Sequence, residues 1–267
     1  MTRAVIRALV VASMALFVAA PARADLKLVQ NTAGKGMGIA ASSVSTTYIK
    51  GLKMRTETVA GGTTRIMIFD VGAQKLYSFD SKKKEADVWD MAEFGKQVGT
   101  VVDPGEITAS VKPNGQTKQI LGKTATGYDM AISVPARMGD PKNGMQMTVM
   151  LTGPTWIVKN SPGTAEYQAF YKAAAERGFI FTDPRAAKGQ SGQAKATTQM
   201  YRELAATGGV PYETEMSIKM AGDGPMAGFM AKMGNISTMS TMTAIDASPI
   251  PDDLFMPPAG YKLSPKK

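Results

Sequence analysis

Methionine is abundant in this chain, and its side chain could bind a metal ion. The sequence has 20 methionines but no histidine and no cysteine. Methionine thioethers are soft ligands that suit Cu(I). A copper carrier is therefore one hypothesis, although the usual nitrogen and thiolate ligands are missing. Its candidate ligands fall into two closely spaced groups, Met226, Met230 and Met233, and Met145, Met147 and Met150.

The abundance of methionine also fits two roles that need no metal. A flexible thioether side chain lines binding surfaces that must fit varied apolar partners, and it also fills irregular gaps in ordinary cores. Both roles stay open beside the copper hypothesis.

Catalytic chemistry finds little support in the sequence. Without histidine, the commonest general base and the usual partner of a nucleophilic serine are absent. The carboxylate pairs Asp87 with Asp90 and Asp252 with Asp253 fall in polar turns, where we expect simple solvation. The glycine-rich residues 34–38 match neither a phosphate-binding loop nor a dinucleotide fingerprint, and we expect a flexible edge strand or loop there. We predict a protein that is not an enzyme, with no catalytic residues, no cofactor and no resident metal.

The elements that would position these side chains begin with short strands. Residues 26–159 show β-type segments separated by turn signals, the pattern of an antiparallel meander. Strands are predicted at residues 44–49, 53–59, 65–70, 75–80, 85–91, 107–112, 116–121, 128–134, 145–151 and 155–159. Pro113-Asn114-Gly115 predicts one hairpin turn, because Asn-Gly readily takes positive φ. Residues 140–144 predict another.

After these strand segments, apolar residues recur at helical spacing. Tyr167, Phe170, Tyr171 and Ala174 recur at the period of an amphipathic helix, with Gly178 as its stop. A second helix is predicted at residues 194–206, a strand at 212–220, a short helix beginning at Pro225 and a last strand at 236–245. Together these elements predict one α+β domain over residues 25–267.

The first 24 residues have the features of a cleavable secretory signal peptide. Arg3 and Arg7 precede an apolar run, and Ala22 and Ala24 occupy the positions where signal peptidase needs small side chains. We expect cleavage after Ala24. Because no cysteine is present to carry acyl chains, we predict a periplasmic protein that is neither lipid-anchored nor membrane-spanning.

Several short stretches resemble those of a known group of proteins. Residues 48–55, 68–70, 75–80, 123–128, 208–211 and 255–261 resemble an exported bacterial family known only as a domain of unknown function. That family is similar to the LolA/LolB superfamily of lipoprotein carriers. The resemblance implies an incomplete antiparallel β-barrel, that is, a curved sheet with helices covering its concave face. In the carriers this cavity holds acyl chains.

The leading hypothesis is a non-enzymatic periplasmic binding protein for an apolar ligand, which could be an acyl chain, a lipid or a lipid-modified partner. Its candidate cavity lining is Met67, Phe69, Leu76, Tyr77, Phe79, Trp89, Phe170, Met226, Phe229 and Met230. The alternative is a cell-envelope interaction module with a filled core, docking an envelope protein. The formal charge of +9 is spread over the chain apart from Lys82-Lys83-Lys84. We expect those three lysines to form an ordinary solvated turn, with weak attraction to anionic lipid headgroups as the alternative, and we expect no binding of nucleic acid.

Overall fold

The computed structural model describes residues 25–36, 39–100, 107–138, 145–181, 183–187, 191–222 and 236–266. The predicted signal peptide lies outside these residues, as do the predicted turn at 140–144 and the predicted helix at Pro225. Signal-peptide cleavage therefore stays a prediction.

Within the described residues, twelve strands join in one sheet. The strands are β1 (Leu26–Gly36), β2 (Ile39–Lys50), β3 (Lys53–Ala60), β4 (Thr63–Asp70), β5 (Lys75–Asp80), β6 (Glu85–Asp90), β7 (Thr108–Ile120), β8 (Lys123–Met138), β9 (Met145–Val158), β10 (Val210–Gly222), β11 (Ile236–Asp246) and β12 (Lys262–Lys266). Their spatial order is β12-β6-β5-β4-β3-β2-β1-β11-β10-β9-β8-β7.

Two meanders make up this sheet. One runs from β1 to β6 and the other from β7 to β11, and the antiparallel pair of β1 with β11 joins them. All pairs are antiparallel except β12, which lies parallel to β6. Because β12 and β7 are at opposite ends of the strand order, the sheet is open. The predicted antiparallel sheet with helices is therefore confirmed.

Four helices accompany the sheet in the described parts of the chain. They are α1 (Met91–Thr100), α2 (Thr164–Glu176), α3 (Pro184–Ala187) and α4 (Ser191–Ala206). The predicted stripe of α2 is confirmed, since Tyr167, Phe170, Tyr171 and Ala174 are all buried. Gly178 has a φ of 63°, which favours glycine and ends this segment as predicted. No described helix is long and apolar enough to cross a bilayer.

The two faces of the sheet have different covers. On the first, which we call the helical face, Leu28, Met54 and Leu76 pack with α2 in the main apolar cluster. On the second, the tail face, strand residues pack with Ile250 and Phe255 of the segment between β11 and β12. Successive side chains of a strand point to opposite faces, so every strand has side chains on both faces of the sheet.

The predicted hairpin at Pro113-Asn114-Gly115 is wrong. Pro113 pairs with Tyr128 and Thr117 with Thr126, so three residues of β7 bulge opposite Gly127. A Cβ on Gly127 would lie 2.5 Å from Asn114 Oδ1, and the missing side chain makes room for the bulge. Gly115 does take positive φ, but within a continuing strand. The chain reverses instead at residues 121–122, both of which have positive φ.

The expected edge strand or loop at residues 34–38 is also wrong over its described part. Gly34 and Gly36 belong to β1, which has β2 on one side and β11 on the other. A Cβ on Gly36 would lie 2.8 Å from the Ile236 Cα of β11. Gly36 therefore allows close approach between β1 and β11 inside the sheet.

Candidate functional site

The structure brings together half of the predicted lining residues. Phe69, Leu76, Trp89 and Phe170 belong to the main cluster on the helical face, and the half-buried Met67 packs against it.

Two further predicted residues are on the other side of the sheet. Phe79 belongs to the cluster on the tail face and Tyr77 packs against that cluster. They alternate with Leu76 along β5, so they do not join the first group. Met226, Phe229 and Met230 lie outside the described residues. Whether any predicted residue contacts a ligand stays a prediction.

Aromatic rings fill the space beneath α2. This aromatic cluster consists of Phe69, Tyr167, Phe170, Tyr171, Phe179, Phe181 and Tyr201, which come from β4, α2, the chain after α2, and α4. Phe69 and Phe181 meet edge to face, with ring centroids 5.6 Å apart. Leu76 and Phe170 are 0% exposed. The interior is therefore packed with the protein's own side chains.

The tyrosines of the cluster hold their hydroxyl protons firmly. Burial raises the pKa of Tyr171 well above its usual value, and burial likewise raises those of Tyr167 and Tyr201. The Tyr171 hydroxyl donates a hydrogen bond to Met54 Sδ at 3.6 Å. These neutral groups suit contact with an apolar ligand, and their raised pKa values make them poor acid–base catalysts.

An open groove lies above the aromatic cluster, between α2 and α4. Its volume is about 730 Å³. Five of its ten lining residues are alanines and five have longer side chains. The lining residues are Ala165, Gln168, Ala169, Tyr171, Lys172, Ala175, Glu176, Arg202, Ala205 and Ala206. Tyr171 also stacks on Tyr201, with ring centroids 4.7 Å apart and planes at 14°. One side chain therefore belongs to both the groove and the cluster beneath it.

The chain between α2 and α4 is held to the sheet by charges. We call Arg65, Asp87, Asp183, Arg185 and Lys266 the ion-pair cluster. Asp183 accepts a hydrogen bond from Arg65 Nη2, and its Oδ2 lies 2.8 Å from Arg185 Nη2. Arg185 Nη1 lies 2.8 Å from Asp87 Oδ2, and Lys266 Nζ lies 3.1 Å from Asp87 Oδ1. Asp183 thereby connects its own segment to β4 and, through Arg185, to β6.

The carboxylate of Asp183 is held in its charged form. Burial alone would raise its pKa, but hydrogen bonds from Arg185 and the charges of Arg185 and Arg65 lower it overall. The side chain is 7% exposed, whereas those of Arg65 and Arg185 are about half exposed. The contacts of Asp183 are therefore the best protected from water and salt in the cluster.

Two buried polar atoms on the helical face have no hydrogen-bond partner among the described residues. They are Trp89 Nε1 and Thr56 Oγ1. A buried donor without a partner costs free energy, about 1–3 kcal/mol. A ligand oxygen that reached Trp89 Nε1 would remove this cost.

One candidate copper group does not converge. Met147 and Met150 are three residues apart in β9, whose pairing with β8 is regular, so their side chains point to opposite faces. Met226, Met230 and Met233, the other group, lie outside the described residues.

Sequence reasoning did not identify several residues of this region. Phe179 and Phe181 follow Gly178 in a short apolar run, and that run was the available signal. Nothing local pointed to the contact of Arg65 with Asp183, which are 118 positions apart.

Comparisons with known proteins identify a similar structure but no matching family. No protein-family model matches the chain, and no curated protein matches it. It is similar to a crystal structure from Vibrio parahaemolyticus described as a candidate outer membrane lipoprotein-sorting protein domain. The similarity covers 88% of this chain and 90% of that one, at 7% identity and a TM-score of 0.30. Likeness of this size does not establish a shared function.

Proposed function

We propose that this chain is a non-enzymatic binding protein for an apolar ligand of the acyl-chain type. The ligand is held between α2, α4 and the helical face of the sheet. The observation that carries the proposal is the groove of about 730 Å³, which has an alanine lining and a floor residue shared with the aromatic cluster.

The size and lining of the groove suit such a ligand. Sites for small molecules are concave, mostly apolar and about 300–1,000 Å³ in volume. Alanine methyl groups and the face of Tyr171 offer an apolar surface. Lys172, Glu176 and Arg202 also line the groove, and Lys172 Nζ lies 3.9 Å from Glu176 Oε1, so Arg202 is the cation that an anionic headgroup could meet beside its chain.

The packed interior fits a site that enlarges when the ligand enters. Aromatic side chains from four parts of the chain fill it, and a small separation of α2 from α4 would part the Tyr171 and Tyr201 rings. We propose that the ligand occupies the groove and that part of its chain replaces ring contacts beneath it.

The proposal includes a place of action. With the predicted signal peptide removed after Ala24, the protein would act in the periplasm as a carrier of a lipid or a lipid-modified partner. A carrier must release its ligand, and a site that closes on aromatic rings would favour release.

Filling the groove tests the proposal. The double variant Ala169→Trp/Ala205→Trp places bulk on both helices at groove-lining positions. Titration with a fluorescent fatty acid should show affinity reduced about tenfold or more, equal to about 1.4 kcal/mol of binding free energy. Ala244→Trp is the matched control, because Ala244 is exposed on β11 outside the groove. Equal affinities of the filled and control variants would contradict the location of the site.

A second function is favoured by the packing itself. Leu76 and Phe170 are completely buried, as expected for an envelope interaction module with a filled core. That function requires that the wild-type protein take up no fatty acid, and that crosslinking in the periplasm capture one dominant protein partner.

A further inference from the structure

Two segments that are distant in sequence bring lysines together at one edge of the sheet. β12 starts where the turn between β5 and β6 ends, and the backbone N–H of Lys262 donates to the Lys84 carbonyl at 2.9 Å. Lys262 is the register partner of Glu85. The strand therefore adds a fourth lysine to Lys82, Lys83 and Lys84.

All four lysine side chains are exposed. In the described residues none of the four has an ion pair, whereas the neighbouring Lys266 is paired with Asp87. The nearest acids in sequence are Asp80, which accepts the Lys82 backbone N–H at 2.7 Å, and the exposed Glu85. The turn and the start of β12 thus keep a positive excess that is directed to solvent.

An apolar side chain lies beside these charges. Leu263 follows Lys262 and is 52% exposed. Because successive side chains of a strand point to opposite faces, the two residues can contact one surface only where that surface approaches β12 from its edge. Surfaces that bind at a lipid interface combine basic residues with exposed apolar side chains. Lysine is a flexible point charge that suits a diffuse anionic surface better than a geometrically defined partner.

We propose that Lys82, Lys83, Lys84, Lys262 and Leu263 form a docking surface for an anionic phospholipid bilayer. It lies on the β6–β12 edge of the sheet. β12 is needed because it supplies both Lys262 and Leu263. This surface is separate from the groove between α2 and α4 and does not depend on the ligand proposed for that groove.

Vesicle sedimentation tests the proposal with the full chain. Wild-type protein should bind vesicles that contain phosphatidylglycerol, should not bind vesicles of pure phosphatidylcholine, and should dissociate as salt is raised. Each lysine near an anionic surface strengthens binding about fivefold. Lys82→Glu/Lys83→Glu/Lys84→Glu should therefore weaken binding about 100-fold or more, and Lys262→Glu alone about fivefold.

The matched control reverses three lysines on the other meander. Lys112, Lys123 and Lys219 are exposed on β7, β8 and β10, and their replacement by glutamate changes net charge equally. Thermal melts check that all variants fold. Binding by this control close to that of wild type supports the proposed surface. The proposal is overturned if wild type binds both vesicle types alike, or if the control loses as much affinity as the patch variant.

Discussion

At the scale of single residues, Asp183 is the nearly buried charge that connects the chain after α2 to the sheet. It is nearly buried, and it contacts Arg65 of β4 as well as Arg185 of its own segment. Phe179 and Phe181, which complete the aromatic cluster, precede it closely. The ion pairs therefore fix the position of the rings as well as the position of the charges.

Replacing Asp183 should destabilise the protein in a pH-dependent way. We expect Asp183→Asn to lower the free energy of unfolding by about 1–3 kcal/mol at pH 7, because two arginines lose a charged acceptor. The pKa of Asp183 is lower in the folded state, so its contribution exists above the unfolded pKa of about 3.9 and is lost as pH falls through the folded value. Urea unfolding at pH 7 and pH 3 should show the difference between variant and wild type shrinking in acid.

Asp253→Asn is the control for this experiment. Asp253 is exposed and has no ion pair among the described residues. We expect it to stay within about 0.5 kcal/mol of wild type. A variant at position 183 that is as stable as wild type at pH 7 would show that the ion-pair cluster does not hold the segment.

At the scale of elements, hydrogen bonds hold the segment after β11 against the tail face of the sheet. Arg55 is 8% exposed; its Nε lies 2.6 Å from Glu57 Oε1, and its Nη1 donates to the Leu254 carbonyl at 2.9 Å. Its guanidinium also lies 5.9 Å from the centre of the Phe79 ring. The Ile250 N–H donates to Asp25 Oδ2 at 2.6 Å. β12 can reach β6 because these contacts hold the chain that precedes it.

Loss of Arg55 should loosen this segment selectively. We expect Arg55→Met to speed amide hydrogen exchange in residues 250–261, since the variant leaves the Leu254 carbonyl and Glu57 without their donor. Exchange in α2 should change little. Lys123→Met, at an exposed position on β8, should leave both regions unchanged. Equal exchange rates in residues 250–261 of Arg55→Met and wild type would disprove this role of Arg55.

The sequence predicts the helix α2 much better than the strand β12. α2 is predictable because Tyr167, Phe170, Tyr171 and Ala174 repeat at helical spacing and the face they form is buried. β12 is five residues long, contains a proline and pairs in parallel with β6, so its local sequence has no strand signal. Its position depends on Lys84 and on the tail contacts, which are distant in sequence.

At the scale of the whole molecule, the meander from β3 to β6 was predictable from alternation and turn residues, whereas the turn between β7 and β8 was misplaced and β9 is joined to β10 through α2, α3 and α4. The joining of the two meanders through β1 and β11 was not predictable, because paired residues of these strands, such as Thr32 and Ser240, are 208 positions apart in the sequence. Of the ten predicted lining residues, none that the structure describes lines the groove between α2 and α4, and five belong to or pack against the main apolar cluster on the helical face. Alternation along β5 separates Leu76 from Tyr77 and Phe79, but which face receives the helices is decided by packing that only the complete fold creates.

The central claim is that an apolar ligand binds between α2, α4 and the sheet. Native mass spectrometry of the protein, purified without detergent from the periplasmic fraction of its host, tests this most directly. We predict a fraction of molecules that carry the mass of one acyl lipid, with that fraction absent from Ala169→Trp/Ala205→Trp and present in Ala244→Trp. A wild-type spectrum showing only the bare chain, even after incubation with phospholipid vesicles, would contradict the claim.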